Sequence, residues 1–396
     1  MNDRIDQRRG CQATTRRTPP TDIQFRAQPP ADIDKIPTVA EWLSEWMTRR
    51  ERQLRHNTAA SYRGHIRNHL IPHLGRLRLD ELRRQHVMDM FDAIEDGNHL
   101  ISQLAGSSDP LDRAQVRGQR VTNAATMHRI RATLRAALNA AIVEGWLTSN
   151  PATLLDMPDS GRPTPMLWTE PRVREWQSTG RVPSPVMVWT GAQLGAFLDS
   201  IAEERLYALF HVMAYLGLRR GEACGLLDAD IDLDENSIHV RSQLVEHGGI
   251  PTLTGPISRA SDTKVPIADR TAAAIDRYRA LRAAERAAAG DAWTDTGLLF
   301  VNPDGTALHP SRITAAFATY LRRAELPPIQ LRDLRRGTAT LALAAGIDLR
   351  TVTAILRHSS IAVTGLYSSV TAELAHKDAQ RIKDAVPRRA AIRGDR

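Results

Sequence analysis

Lysine is almost missing from this chain of 396 residues. Lys35, Lys264, Lys377 and Lys383 are the only four among 53 basic side chains, so arginine carries the positive charge. Cysteine is scarcer still. Cys11 and Cys224 lie far apart with no metal-ligand spacing, which excludes a disulfide framework and suits a reducing cytosol. No apolar run approaches the ~18 residues that a membrane span requires, so no membrane partner is expected. The opening MNDRIDQRRGCQATTRRTPP is charged but lacks the apolar stretch of a secretory signal. The expected location is cytoplasmic, with nucleoid association. No internal repeat is evident.

What the chain does hold is enough apolar material, 42% of its residues, for real cores, and a length that suits two domains plus tails. The formal charge is +8 and the isoelectric point about 10.0. GC-rich codons alone would favour arginine over lysine. A basic chain is nonetheless drawn to polyanions, and guanidinium forks bind phosphate bidentately. Ribosomal and RNA-associated proteins share this balance, so charge does not choose among them.

The patterning suggests five regions. Residues 1–36 read as a flexible basic arm, rich in Arg, Gln, Thr and Pro. Residues 37–156 read as a helical domain. Thr38 caps a helix with Val39, Trp42, Leu43, Trp46 and Met47 on one face. Asn57 and Thr58 open a second helix, punctuated by Pro72 and Gly75. A third runs from Leu79 to Ala93, and a long one from Val121 to Trp146. Between the last two, 96–120 reads as a polar interruption. Residues 157–187 read as a linker with an inserted loop, on their proline and glycine content. A second domain, 188–386, opens with helices through Tyr215. Short strands follow within 231–245 and 250–267, then helices from Ala272 that dominate from Pro310 to Ala385. A tail covers 387–396.

The second domain contains Gly217-Leu-Arg-Arg-Gly-Glu222, placed where one helix should end and another begin. Such a turn suits a phosphate, and it also suits a plain surface Arg-Arg turn. Farther on come Asp333-Leu-Arg335, Leu356-Arg-His-Ser-Ser360 and Tyr367. His358 by itself reads as a cap or packing residue and Tyr367 by itself as core.

This spaced set resembles the tyrosine recombinase (phage integrase) family. The segment from Val39 to Leu82 is similar to the family's N-terminal core-binding domain, and the likeness covers roughly 38–385 in the family's domain order. It implies a mainly α fold with a small β-sheet or hairpin (α+β). A helical, SAM-like core-binding domain and a catalytic domain would form a C-shaped clamp around DNA. Residue by residue, Arg219 and Arg335 match the catalytic arginines, His358 the histidine of the third box and Tyr367 the nucleophile. The chemistry suits these types. Attack on a phosphodiester loads charge onto nonbridging oxygens, which two guanidinium forks and a histidine can receive. The phenolate forms a 3′-phosphotyrosyl link that conserves the bond for rejoining. Glu222 is expected to orient an arginine or the turn, and Ser359 or Ser360 to cap the helix carrying Tyr367.

The resemblance implies no cofactor and no metal. The implied partners are double-stranded DNA attachment sites, a homotetramer on DNA and, optionally, an accessory directionality factor. The implied function is site-specific recombination (integration), as part of a mobile genetic element. Helix 372–385 is expected to dock on a neighbouring protomer or to close its own domain.

Three positions depart from the family pattern. Arg332 stands where histidine is usual and, being permanently protonated, cannot act as a base; it can stabilise a phenolate by charge. Ile257 stands where a lysine general acid is usual. If the hairpin turns at Ala260-Ser261, Lys264 lies opposite Ile257 and can reach the same space. Lys264 is then either the proton donor or a solvated strand residue, with Arg259 the poorer donor. Arg357 replaces a glycine, where positive φ suits arginine poorly and the added charge suits DNA contact. These departures keep open an alternative, a catalytically weakened or inactive DNA-binding protein on the same scaffold. A tyrosine topoisomerase shares the chemistry, but the helical first domain, the LRHSS stretch and the lack of a long basic linker favour a recombinase.

Overall fold

The computed structural model describes residues 36–161, 163–256 and 261–357. The chain divides into two compact units at Gly161.

In the first unit, α1 (Val39–Glu51) begins at a reciprocal cap. Thr38 Oγ1 accepts from the Glu41 amide at 3.3 Å, and the Glu41 carboxylate accepts from the Thr38 amide at 2.8 Å. Its apolar stripe is the expected one, with Trp42 fully buried and its indole N–H donating to the Ala137 carbonyl at 3.0 Å. Next come α2 (His56–His65) and α3 (Ile71–Leu74), which are two ends of one rod. The expected break at Pro72 does not occur. A π turn over Ile66–Leu70, closed by the Ile71 amide on the Ile66 carbonyl, widens the helix just before the proline. Proline lacks the N–H for the usual i→i−4 bond and its ring crowds that carbonyl, and the wider turn accommodates both.

The helix expected from Leu79 begins later and runs further. After a 3₁₀ turn at Leu79–Glu81, α4 spans Arg84–Ala105. The polar stretch 96–120 is therefore helical over much of its length, with α5 (Pro110–Gln115) following. The fully buried residues of α4 stop at Ile94, and beyond it the apolar stripe is carried on only by half-buried Ile101 and Leu104. The last helix, α6 (Ala124–Val143), closes the core with Ile130, Leu134, Ala137, Leu138 and Ala141.

The second unit begins within the stretch expected to be a linker. It holds β1 (Met166–Leu167), α7 (Glu170–Thr179) and β2 (Met187–Val188), the strands pairing in parallel. Trp168 is fully buried and donates to the Pro328 carbonyl at 3.0 Å, so this segment is core rather than connection. Next are α8 (Gly191–Ser200), α9 (Tyr207–Leu216) and the short α10 (Arg220–Cys224). Helix α9 is apolar nearly all round, which makes it the central helix. Its His211 is buried between Tyr207 Oη and Thr271 Oγ1, both at 3.2 Å, and burial pushes its pKa down to about 4, helped by Arg270.

Then β3 (Ile231–Asp232), β4 (Ser237–Val240), β5 (Gln243–His247), β6 (Ile250–Thr254) and β7 (Thr263–Pro266) make two small sheets, β3-β4-β7 and the β5-β6 hairpin, both antiparallel. Finally α11 (Asp269–Ala289), α12 (Pro310–Arg323), α13 (Asp333–Ala344) and α14 (Leu349–Ile355) complete the described part. An aromatic cluster of Trp189, Phe197, Phe210 and Phe317, with ring centroids 5.2–6.1 Å apart, forms the centre of this core. Both α11 and α13 pack on α9. Among the described residues no helix is long and apolar enough to cross a membrane.

Candidate active site

The site grows from the end of α9. Gly217 takes the left-handed conformation there, φ 57° and ψ 36°. A Cβ at Gly217 would lie 2.5 Å from Leu356 Cδ2, so the chain leaves the helix where a side chain would be strained by the backbone and would have to displace Leu356. Two residues on, Arg219 is extended and opens α10.

Glu222 sits almost fully buried beneath this turn. Its carboxylate accepts from the Arg219 amide at 2.9 Å and from Arg219 Nη1 at 2.5 Å. Arg357 Nη2 reaches the same carboxylate at 3.1 Å, and Arg335 Nη1 stands 3.9 Å away. Burial alone would raise the Glu222 pKa. Arg357 and Arg219 outweigh it and hold the carboxyl below the ordinary range. One carboxylate faces three guanidinium groups, so the cluster keeps a surplus of positive charge. The expected supporting role of Glu222 matches this geometry.

Arg335 rises from the first turn of α13. It donates through Nη1 to the Gly217 carbonyl at 2.6 Å and through Nη2 to the Leu356 carbonyl, tying the end of α9 to the end of α14. The neighbouring arginine, Arg336, is used differently, pairing at 2.5 Å with Asp333. Burial pushes the Asp333 carboxyl up in spite of Arg336.

Arg219 and Arg335, with Arg220 and Arg332, line a single cleft of about 370 Å³ over Met213, Leu218 and Leu331, with Gln330 and Thr314 at its edge. Among the described residues no carboxylate lines it. Arg332 is exposed and stands 4.0 Å from Asp333. Such a cleft is built for a polyanion.

Known proteins agree with that chemistry. Residues 190–373 match the phage integrase family, and residues 38–93 match its N-terminal SAM-like domain. The chain belongs to the phage integrase, or tyrosine recombinase, family. Members of it cut and rejoin DNA.

A tyrosine recombinase XerC of Mycobacterium sp. (strain JLS) is 28% identical over 306 residues, 75% of this chain and 91% of that protein. A XerC-like tyrosine recombinase of Caldanaerobacter subterraneus subsp. tengcongensis is 25% identical over 250 residues, and the match spans 60% of each. Among solved structures, the Tn1549 transposon integrase in complex with transposon right end DNA aligns with a TM-score of 0.61 at 19% identity, over 87% of this chain and 99% of that one. A lambda integrase tetramer bound to a Holliday junction aligns at 0.53 and 16%, over 84% and 78%. The mainly helical fold with small sheets is thus the family's.

Of the residues singled out in the sequence, Arg219, Arg332 and Arg335 come together in the cleft. His358, Tyr367, Ser359, Ser360, Ile257 and Arg259 lie outside the described residues, as does the stretch 372–385 where a helix is expected. One expectation stays open and one needs correction. Lys264 is exposed on β7 and pairs with His239 of β4, as a solvated strand residue would, while its place relative to Ile257 falls on residues outside those described. Ser261, expected at the tip of a turn, is 1% exposed, and β6 pairs with β5 instead of β7. The correction concerns Arg357, which does not present its charge to DNA. It takes φ 54° as expected, but its side chain is buried on Glu222. Sequence reasoning missed that contact because Glu222 is 135 residues away. The available signal was a long cation at a position where a glycine-like backbone is required.

Proposed function

We propose that this chain is a site-specific DNA recombinase that cuts and rejoins DNA through a 3′-phosphotyrosyl intermediate. Tyr367 is the nucleophile, and Arg219, Arg335 and His358 hold the scissile phosphate. The observation that carries this reading is the convergence of Arg219 and Arg335, 116 positions apart in the sequence, on one cleft that no carboxylate lines among the described residues.

In the cleavage step the Tyr367 oxygen bonds to phosphorus and the 5′-oxygen of the next nucleotide leaves, taking up a proton. The guanidinium groups stabilise the two nonbridging oxygens as their charge grows, and they do so without titrating. Their orientation is fixed in advance, Arg219 by Glu222 and Arg335 by two backbone carbonyls. Rejoining reverses the step, with a 5′-hydroxyl attacking the phosphotyrosyl bond and returning the proton to the phenol. Arg332 adds a permanent positive charge to the cleft, which favours the phenolate form of a nearby tyrosine. Double-stranded DNA attachment sites are the substrate. A tetramer is the working assembly by analogy with lambda integrase, and integration of a mobile element is the process these parts would serve.

A second reading is supported by two positions. Arg332 is no proton acceptor, and Lys264 faces His239 outside the cleft. A chain that binds DNA but cleaves slowly or not at all would show the same features. Nicked duplexes from the DNA flanking the chain's own gene separate the two readings, with wild type run beside Tyr367→Phe. A covalent adduct formed by wild type alone establishes the recombinase. Binding without an adduct from either protein establishes the scaffold.

A further inference from the structure

Arg357 combines three unfavourable features. Its side chain is 0% exposed, its backbone takes φ 54°, and its Nε has no hydrogen-bond partner among the described atoms. Each opposes folding, since arginine is desolvated reluctantly and a non-glycine residue avoids positive φ. Glycine would remove all three. A surface role in DNA contact is ruled out by the burial. A purely stabilising role fits poorly too, because buried ion pairs seldom outperform apolar packing of the same volume.

What the side chain does accomplish is geometric. Nη1 donates to the Ile355 carbonyl at 2.8 Å, which fixes the plane of the guanidinium, and Nη2 then meets Glu222 Oε2 at 3.1 Å. That same Oε2 accepts the Arg219 amide at 2.9 Å, while Oε1 accepts Arg219 Nη1 at 2.5 Å. Arg357 is joined directly to His358 in the chain, and the carbonyl before it, that of Leu356, is held by Arg335.

We propose that Arg357 is a positioning residue for DNA cleavage: it fixes the Glu222 carboxylate so that the carboxylate grips both the backbone and the guanidinium of Arg219. The proposal rests on Arg219 being a phosphate-holding residue. Arginine–carboxylate–arginine contact then makes one rigid unit of the turn after α9, the first turn of α13 and the chain entering His358.

The test uses the full-length protein and the same nicked duplexes, with adduct formation followed in a single turnover. Arg357→Met, which keeps the length and removes the charge, is expected to slow adduct formation by about 100-fold. DNA affinity should stay within about threefold, because a buried arginine neutralises no phosphate. Arg357→Lys should recover about tenfold of the loss, as a cation that reaches but does not fork.

The pH profile gives a readout that a merely structural role would not move. The charged groups facing Glu222 are Arg219 from its own turn, Arg335 from α13 and Arg357. With Arg357 gone, the largest of the influences that hold the carboxyl down is lost while those of Arg219 remain, so cleavage by Arg357→Met should lose rate toward acid pH earlier than wild type does. Glu222→Gln in that background should abolish this earlier limb and cost little further. A wild-type rate with an unchanged profile in Arg357→Met overturns the proposal. So does a loss in Arg357→Met that Lys does not mend and that merely tracks melting temperature.

If wild-type protein yields no adduct on these duplexes, the cleavage reading fails. The positioning is then judged from crystal structures. An Arg219 guanidinium released from Glu222 in Arg357→Met sustains it, and one that stays in place refutes it.

Discussion

Gly217 carries two constraints at once, a left-handed φ of 57° and a neighbour, Leu356 Cδ2, where a Cβ would go. Gly297 has a similar φ of 67° but open space around it. Alanine at Gly297 is expected to cost about 1 kcal/mol from backbone strain alone. Alanine at Gly217 adds overpacking and is expected to cost about 2–4 kcal/mol. The difference, measured by urea unfolding, isolates the contact between the turn after α9 and the end of α14. Glu222 offers a second test at this scale. Its carboxyl is held below its unfolded value, so its contribution is fully present above about pH 5 and drains as pH falls through the lower folded value. Glu222→Gln should therefore unfold with a shallower acid limb than wild type. Arg219 and Arg335 were legible as site candidates because their motifs stand in register. The burial of Arg357 was not, since composition reads an arginine as solvated and only the fold reveals its carboxylate.

Helix starts were easier to read than helix ends. Thr38 and Thr190 each cap a helix through a reciprocal pair, Thr38 with Glu41 and Thr190 with Gln193. Thr→Ala at either position is expected to cost about 1 kcal/mol, read as a lower urea midpoint with unchanged slope. The extension of α4 past Ile94 escaped notice because half-buried Ile101 and Leu104 alone carry its apolar stripe on, amid polar neighbours. The segment 166–188 escaped for the opposite reason. Its prolines advertise a loop, while Trp168 and Trp189, both buried and both bonded to proline carbonyls, mark it as core. Pro72 misled in the same way, because a π turn upstream let the helix continue.

For the molecule as a whole, charge decides how it meets its substrate. A net charge of +8 carried almost entirely by arginine implies binding through phosphate contacts. With ~6–10 such contacts, affinity should fall about 10³–10⁵-fold between 50 and 200 mM salt. A flat salt response in a filter-binding titration would remove duplex DNA as the main partner. The same economy in residue types has a practical side. Cys224 ends α10, two residues beyond Glu222, fully buried, with its thiol pushed up to about 12 by burial. A thiol so protonated and shielded ignores alkylating reagents until the local structure opens. In a Cys11→Ser background Cys224 is the single thiol of the chain. The rate of its modification then times the breathing of the turn beneath Arg219, and DNA that clasps this turn should slow that clock.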